Sequence, residues 1–169
     1  MSSETFPGRG TAVASDEFRR ACGRFASGVT VATVLDAKGG PHGLTVSSFT
    51  AVSLHPPLVL ICLGHGVTAI KHFRAAKHFG INILAEDQQA LAERFARKAP
   101  DRFEGLPWRG GVTGVPLLPG VIGAIECAVH ARVEMGDHDI LVGEMVQTQV
   151  ADAAPLVHFA GGYRRLEKR

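Results

Sequence analysis

The sequence predicts one mostly β domain, a largely antiparallel barrel with a few short helices at its periphery. A length of 169 residues fits a single domain, and 46% hydrophobic residues are ample for a core. Segments rich in β-branched residues alternate with turns made of Gly, Pro and Asp, and most of these turns have hairpin length. Only three segments have helical spacing, so the alternating strand–helix units of a parallel sheet are missing.

The first predicted elements are an arm and a helix. Residues 1–14 are small and polar and include Gly and Pro, so we expect a disordered arm without a signal peptide, followed by one domain over 15–169. A short helix comes next, which Ser15 or Asp16 can cap and Gly28 ends. The residues at helical spacing on one face of this helix are Phe18, Ala21, Cys22 and Phe25.

Strands and two further helices account for the rest of the domain. Residues 29–35 and 41–49 form a β-hairpin, and the continuous apolar run over 58–63 predicts a strand buried on both faces. Thr68 is expected to cap a helix over 68–76. The remaining elements are a strand over 79–84, a helix over 88–97, a long loop over 100–120, strands over 121–134 and 140–150 joined by a turn at 136–139, and a last strand over 156–159.

Composition excludes several classes of protein. The net charge of +2 is too small for a nucleic-acid-binding surface, and no apolar run reaches the length of about 18 residues that spans a bilayer. The three cysteines are far apart and odd in number, which argues against disulfides or a structural zinc and fits a reducing compartment. We therefore expect a cytoplasmic protein that binds neither nucleic acid nor membrane.

A Gly-rich motif follows the apolar run, at residues 64–69. Its sequence, Gly-His-Gly-Val-Thr-Ala, matches the loose dinucleotide fingerprint G-x-G-x-x-G/A, and Glu86 lies at about the right distance to meet a ribose. Because the chain lacks alternating strand–helix units, a doubly wound dinucleotide-binding fold is not expected. Free N–H groups at a helix start favour phosphate in any fold, and Thr68 adds a hydroxyl there.

Other polar residues mark candidate binding positions. Thr45, Ser47 and Ser48 cluster where a strand ends, and their hydroxyls either bind a polar ligand or stabilise a turn. Asn82 lies inside an apolar strand and, if buried, needs a hydrogen-bond partner that a ligand or a neighbouring loop can supply. His138 lies in a polar turn, where it is either solvated or placed over a cofactor. The remaining histidines are scattered along the sequence, so no metal site is predicted.

Several segments, in their order, resemble the flavin reductase-like family, and the resemblance covers about residues 18–166. These segments are FASGVTVAT at 25–33, HGLTVSSF at 42–49, SLHPPLV at 53–59, FGINIL at 79–84, GDH at 136–138 and HFAGGYR at 158–164. The sequence is most similar to the small reductase component of two-component flavin-dependent monooxygenases. The resemblance implies a split β-barrel FMN-binding fold, usually a homodimer with flavin near the subunit interface.

The resemblance also implies roles for individual positions. The residues expected to contact the flavin are Thr45, Val46, Ser47, Ser48, Cys62, Leu63, Thr68, Ile81, Asn82 and Ile83. Arg94 and Phe95 match a helix whose basic residue can approach phosphate or the adenylate, and His138 and Tyr163 match positions near the nicotinamide. Relatives often carry arginine just before the position of Thr68 and at position 160, where this chain has Val67 and Ala160.

The implied function is an NAD(P)H:flavin oxidoreductase that passes a hydride from NADH, or NADPH, to FMN or FAD and supplies reduced flavin to a partner monooxygenase. His138 is expected to orient the nicotinamide without transferring a proton. Two alternatives stay open. One is a flavoprotein that holds FMN tightly and acts in electron transfer, and the other acts on a different acceptor, as a corrin reductase or a pyridoxine-phosphate oxidase-like protein does.

Overall fold

Strands make up most of the regular structure in a computed structural model that describes residues 12–167. Of the predicted arm, residues 1–11 lie outside the described residues and 12–14 have no regular structure. The helices are α1 (Ser15–Cys22), α2 (Ile70–Ala75) and α3 (Gln89–Ala96). The strands are β1 (Ser27–Gly28), β2 (Thr30–Leu35), β3 (Pro41–Val46), β4 (Thr50–Leu54), β5 (Pro57–Gly64), β6 (His78–Ile83), β7 (Arg109–Gly110), β8 (Pro116–Leu117), β9 (Gly123–Met135), β10 (His138–Val150), β11 (Val157–Phe159) and β12 (Gly162–Arg164). The predicted mostly β class with short helices is confirmed.

One seven-stranded antiparallel sheet forms the body of the domain. Its strand order is β3-β2-β6-β9-β10-β5-β4, with the long β9–β10 hairpin near the middle. Two small sheets, β1-β11-β12 and β7-β8, flank it. The edge strands of the large sheet, β3 and β4, follow one another in the chain, so the sheet must curl for a short connection to join its two edges.

The curled sheet encloses the main hydrophobic core. This core draws residues from strands across the whole sheet: Ala32, Val34, Leu44, Val46, Val59, Ile61, Leu63, Phe79, Ile81, Ile125, Cys127 and Leu141. A second core lies on the outer side of β2, where Val31 packs with Leu84, Phe95 and Leu118. β2 is therefore buried on both faces, with the barrel interior on one side and α3 with its following loop on the other.

Two strand predictions need correction. The strand predicted over 41–49 ends at Val46, and β4, all of whose residues are exposed, is not predicted at all. An exposed edge strand carries no burial pattern, so its sequence gives no strong signal. The run over 58–63 forms β5, but buried and partly exposed residues alternate along it. The apolar residues on its outer face therefore lie on an accessible surface.

The helix and turn predictions also differ from the structure in detail. α1 forms, but none of its residues is buried, and Phe18 and Phe25 are 61% and 81% exposed. No side chain caps α1 or α2, and α2 begins at Ile70, so the predicted cap by Thr68 is wrong. His138 is the first residue of β10 and not part of the preceding turn, because the β9–β10 pairing extends to it.

The segment predicted as a loop over 100–120 packs over one side of the barrel, is held there by hydrogen bonds, and contains two short strands, β7 and β8. Glu126 is 2% exposed and accepts hydrogen bonds from the backbone N–H groups of Val112 and Thr113. Arg102, 7% exposed, donates to the carbonyl oxygens of Arg97 and Gly43.

Within the described part of the chain, no helix is both long and apolar enough to cross a membrane.

Candidate functional site

A seam separates β3 from β5 where the sheet curls. β4 pairs with β5 with Thr50 opposite Leu60, and two residues earlier Ser48 reaches Cys62. Ser48 Oγ accepts a hydrogen bond from the Cys62 backbone N–H at 2.9 Å and lies 3.3 Å from its carbonyl oxygen. Beyond this point β3 turns away to pair with β2, with Val46 opposite Thr30. The seam opens there, on the side of the loop that follows Gly64.

Three of the predicted residues, Ser47, Cys62 and His138, share the outer face of the barrel beside this seam. Successive side chains of a strand alternate between its faces. Leu44 and Val46 lie in the inner core, so Thr45 and Ser47 lie on the outer side of the β3 segment. On β5 the inner residues are Val59, Ile61 and Leu63, which places Leu60 and Cys62 outside. On β10, Asp139 and Leu141 are buried, and His138 is exposed on the outer side.

His138 lies across from the end of β5. It pairs with Gly64, and a Cβ added to Gly64 would lie 3.4 Å from His138 Nε2. The imidazole therefore lies against a strand position without a side chain. His138 Nδ1 is 2.7 Å from the Asp137 carboxylate, and this hydrogen bond lowers the pKa of Asp137. The ring is 48% exposed with its orientation set on one side, which suits a residue that positions a ligand.

The loop after β5 is fixed to the start of β10 by an ionic network. His65 donates its backbone N–H to the Asp137 carbonyl oxygen at 2.9 Å, and His65 Nε2 lies 2.8 Å from Asp139 Oδ1. Arg74 donates two hydrogen bonds to the Asp139 carboxylate, at 2.6 and 2.8 Å. These bonds from Arg74 are the main reason that the pKa of Asp139 falls to about 2. The network holds the loop in place beside His138.

A cavity of about 210 Å³ lies where the seam widens past this loop. Thr68 and Lys71 line it from the α2 side, and Arg102 lines it from the loop after α3. The Arg102 guanidinium is bound to backbone carbonyls, whereas Thr68 and Lys71 are exposed. Two positive charges and a hydroxyl therefore border one cavity, which favours an anionic group.

Two other predicted residues, Asn82 and Thr45, lie on the covered side of the barrel, where α3 and the loop after it pack. Asn82 is fully buried. Its amide donates to the Val31 carbonyl oxygen at 3.1 Å, and its side-chain oxygen accepts from the Leu118 N–H at 2.8 Å. Of the two partners considered from the sequence, the neighbouring loop is the one present. Thr45 Oγ1 likewise donates to the Ala92 carbonyl oxygen at 2.6 Å.

The chain is matched from residue 22 to residue 167 by the family model described as the flavin reductase like domain. It belongs to the flavin reductase-like family. The chain is 39% identical over 163 residues to a probable flavin reductase of Rhizobium meliloti (strain 1021), covering 96% of this chain but only 50% of that protein. It thus spans about half the length of that curated relative.

Two further members of the flavin reductase-like family are informative. The reductase component of a flavin-dependent trigonelline monooxygenase of Acinetobacter baylyi is 40% identical, over 87% of this chain and 47% of that protein. The NADH:FAD oxidoreductase SgcE6 of Streptomyces globisporus C-1027, solved with NAD and FAD fragments, superposes with a TM-score of 0.85 at 36% identity. That match covers 90% of this chain and 92% of the other.

The outer face of this flavin reductase-like domain fits an isoalloxazine, which is flat and apolar with one polar edge. Leu60 and Cys62 offer partly exposed apolar side chains on β5, and the exposed Ser47 hydroxyl lies on the same face. His138 adds a ring nitrogen across from the end of β5. The donor set and the apolar surface thus match the chemistry of the group that the family implies.

The other predicted positions lie either inside the barrel or on its covered side. Val46, Leu63 and Ile81 are core residues of the barrel, and Ile83 packs against them, so only their backbone is available to a ligand. Arg94 donates to the carbonyl oxygens of Arg102 and Glu104. Phe95 is fully buried in the second core, and Tyr163 packs against that core, where burial raises its pKa.

Sequence reasoning missed several residues of this region. His65, Asp139, Arg74 and Lys71 come from three separate segments, and only the fold brings them to the seam. Sequence reasoning also missed the contact between His42 and His72, whose rings stack with centroids 3.7 Å apart. A separation of 30 positions leaves no spacing motif that would have predicted this contact.

Proposed function

We propose that this chain is an NAD(P)H:flavin oxidoreductase that passes a hydride from NADH, or NADPH, to FMN or FAD. The observation that carries the proposal is the shared outer face of Ser47, Cys62 and His138 beside the seam, in a chain of the flavin reductase-like family. When bound, the flavin supplies the hydride-accepting chemistry. The residues of the chain position both reactants and set the local electrostatics.

Each residue on the outer face has a task that follows from its position. The Ser47 hydroxyl donates to the polar edge of the flavin ring, while Leu60 and Cys62 contact its apolar part. Hydrogen-bond donors aimed at that edge stabilise the negative charge that develops there. His138, held by Asp137, orients the nicotinamide and moves no proton. The main gain in rate is proximity, which is worth several kcal/mol.

The cavity beside the seam is proposed to take the phosphate of the flavin. Lys71 supplies charge and Thr68 supplies a hydroxyl at its border, so the Val67 departure still leaves positive charge beside this cavity. FMN and FAD share this first phosphate, so the cavity serves either flavin. No arginine cluster for a 2′-phosphate is evident in the sequence, which favours NADH over NADPH.

We also propose that the protein is cytoplasmic, forms a homodimer and gives its reduced flavin to a partner monooxygenase. The resemblance to reductase components supports the partner, and the domain is proposed to run over 15–169. The proposed homodimer is supported by apolar side chains on β4 and at the end of β9 that are exposed in the single chain and that a second copy would cover. These residues are Val52, Leu54, Val133 and Met135. They form two separate exposed apolar pairs, since Leu54 pairs with Pro57 at one end of β5 and Met135 pairs with His138, which lies opposite Gly64 at the other end.

The experiment that tests the function is NADH oxidation by the purified protein in air, with FMN, with FAD and without added flavin. Saturable oxidation that depends on added flavin is expected, and the better flavin names the substrate. A yellow protein that keeps its flavin through dialysis and oxidises NADH slowly would favour the tightly bound flavoprotein instead. A colourless protein inactive with both flavins would overturn the proposal. NADPH in place of NADH decides the second nucleotide.

A further inference from the structure

A cluster of three metal-ligating side chains lies where the β2–β3 hairpin meets α2, and two of them also line the cavity that we propose for the flavin phosphate. Asp36 precedes the hairpin turn, His42 is the second residue of β3, and His72 is on α2. One donor atom from each lies within 4.8 Å of the other two. We propose that Asp36, His42 and His72 bind one Zn²⁺ ion. Two imidazoles and a carboxylate form a three-ligand set that zinc accepts, with a fourth position for water or an anion.

The turn holds the carboxylate ready for a metal. Asp36 Oδ1 accepts the backbone N–H groups of Lys38 and Gly40, each at 2.8 Å. This leaves Oδ2 directed at His42 Nε2, 3.0 Å away. Oδ2 takes no part in the turn, so it is the oxygen available to a metal. A metal between these atoms would displace the bridging proton to solvent.

His72 completes the set from a different element. Its ring is nearly parallel to that of His42, with an angle of 9° between the planes. His72 is partly exposed on α2, so its ring is accessible to a cation from solvent. The nitrogen lone pairs of two parallel imidazoles point in parallel directions and do not converge on one ion. Metal binding therefore requires the partly exposed His72 ring to tilt.

The distances and the surroundings leave room for such a tilt. In a tetrahedral site with bonds of about 2.0–2.2 Å, the donor atoms lie about 3.4 Å apart, so closing from 4.8 Å takes shifts of about 1 Å. Cavities adjoin the cluster on two sides, one lined by His42 and His72 and the other by Asp36 and His72. Lys71 borders both cavities and opposes the ion, whereas the Asp36 charge favours it. A bound ion would join the hairpin to α2.

The test is titration of the full chain, without an affinity tag, with Zn²⁺ by calorimetry. We expect one Zn²⁺ per chain, and at least tenfold weaker binding after His72→Ala, His42→Ala or Asp36→Asn. Asp36→Asn keeps an acceptor for the turn N–H groups, so it tests the ligand if an alanine variant fails to fold by circular dichroism. The matched control is His130→Ala, an exposed histidine of β9, which should bind as the wild type does.

A second readout separates this site from adventitious binding. Co²⁺ in place of Zn²⁺ should give visible absorption bands of a four-coordinate site, and these should vanish in Asp36→Asn. Binding that all three variants keep at wild-type strength would overturn the proposal, as would binding that His130→Ala abolishes. Absence of saturable one-to-one binding in the wild type would overturn it as well. None of these outcomes depends on flavin reductase activity.

Discussion

The two outer faces of the barrel use the same kinds of polar residue in opposite ways. On the face covered by α3 and its loop, Asn82, Thr45 and Arg94 direct their hydrogen bonds to backbone groups of the protein. On the open face beside the seam, Ser47 and His138 expose polar groups to solvent. A cover turns polar side chains into structural anchors, whereas an uncovered sheet face leaves them available to ligands.

The largest effect is expected from removing the anchor on the covered face. Asn82→Ala leaves the buried Leu118 N–H and Val31 carbonyl without the partner each has now, which should lower the free energy of unfolding by about 2–3 kcal/mol. Urea unfolding measures the change. Ser47→Ala, on the open face, is the control and should change stability by less than about 0.5 kcal/mol. Equal losses of stability in both variants would contradict this difference between the covered and the open face.

The second-largest effect on stability is expected from the ionic network in which Asp139 binds His65 and Arg74. The pKa of the Asp139 carboxyl is lower in the folded protein than in the unfolded chain, so it stabilises the fold above about pH 4. This contribution is lost as the pH falls through about 2. Asp139→Asn should therefore lower stability at neutral pH and flatten its dependence on pH between these values. An unfolding profile with the wild-type slope would show that Asp139 does not act through its charge.

His138 is expected to contribute to nicotinamide binding and orientation on the open face. His138→Ala should lower kcat/KM for NADH by about tenfold, with a rise in KM, because an oriented contact worth about 1.4 kcal/mol is lost. Steady-state kinetics measures this, and unfolding should show unchanged stability. His130→Ala serves as the matched control for loss of an imidazole elsewhere on the surface. Unaltered kcat and KM in His138→Ala would remove the residue from the mechanism.

The smallest effects are expected at two adjacent serines, Ser47 and Ser48, which have different roles. Ser47→Ala should weaken flavin binding about fivefold and leave stability unchanged, because one hydrogen bond to the ligand is lost. Ser48→Ala should instead lower the free energy of unfolding by about 1 kcal/mol, because Ser48 ties the seam to Cys62. Flavin fluorescence titration and urea unfolding distinguish the two. The same loss of flavin affinity without loss of stability in Ser48→Ala would contradict this division.

Residues close together in the sequence gave correct predictions. The hairpin over β2 and β3, the strand over β6, helix α3 and the long β9–β10 hairpin follow from apolar spacing and turn residues. The order of the motifs gave the family, whereas the site roles of Ser47 and His138 stay predictions. These features depend on neighbours within a few residues, and local chemistry sets them.

Only the tertiary structure decided which polar residues face a ligand. Asn82 and Ser47 look alike in sequence, but α3 and the loop before β9 cover one face and not the other. It also decided where β4 lies, since an exposed edge strand leaves no pattern, and it brought His42 onto His72 from 30 positions away. Burial and proximity are properties of the packed elements together, and no local stretch of sequence encodes them.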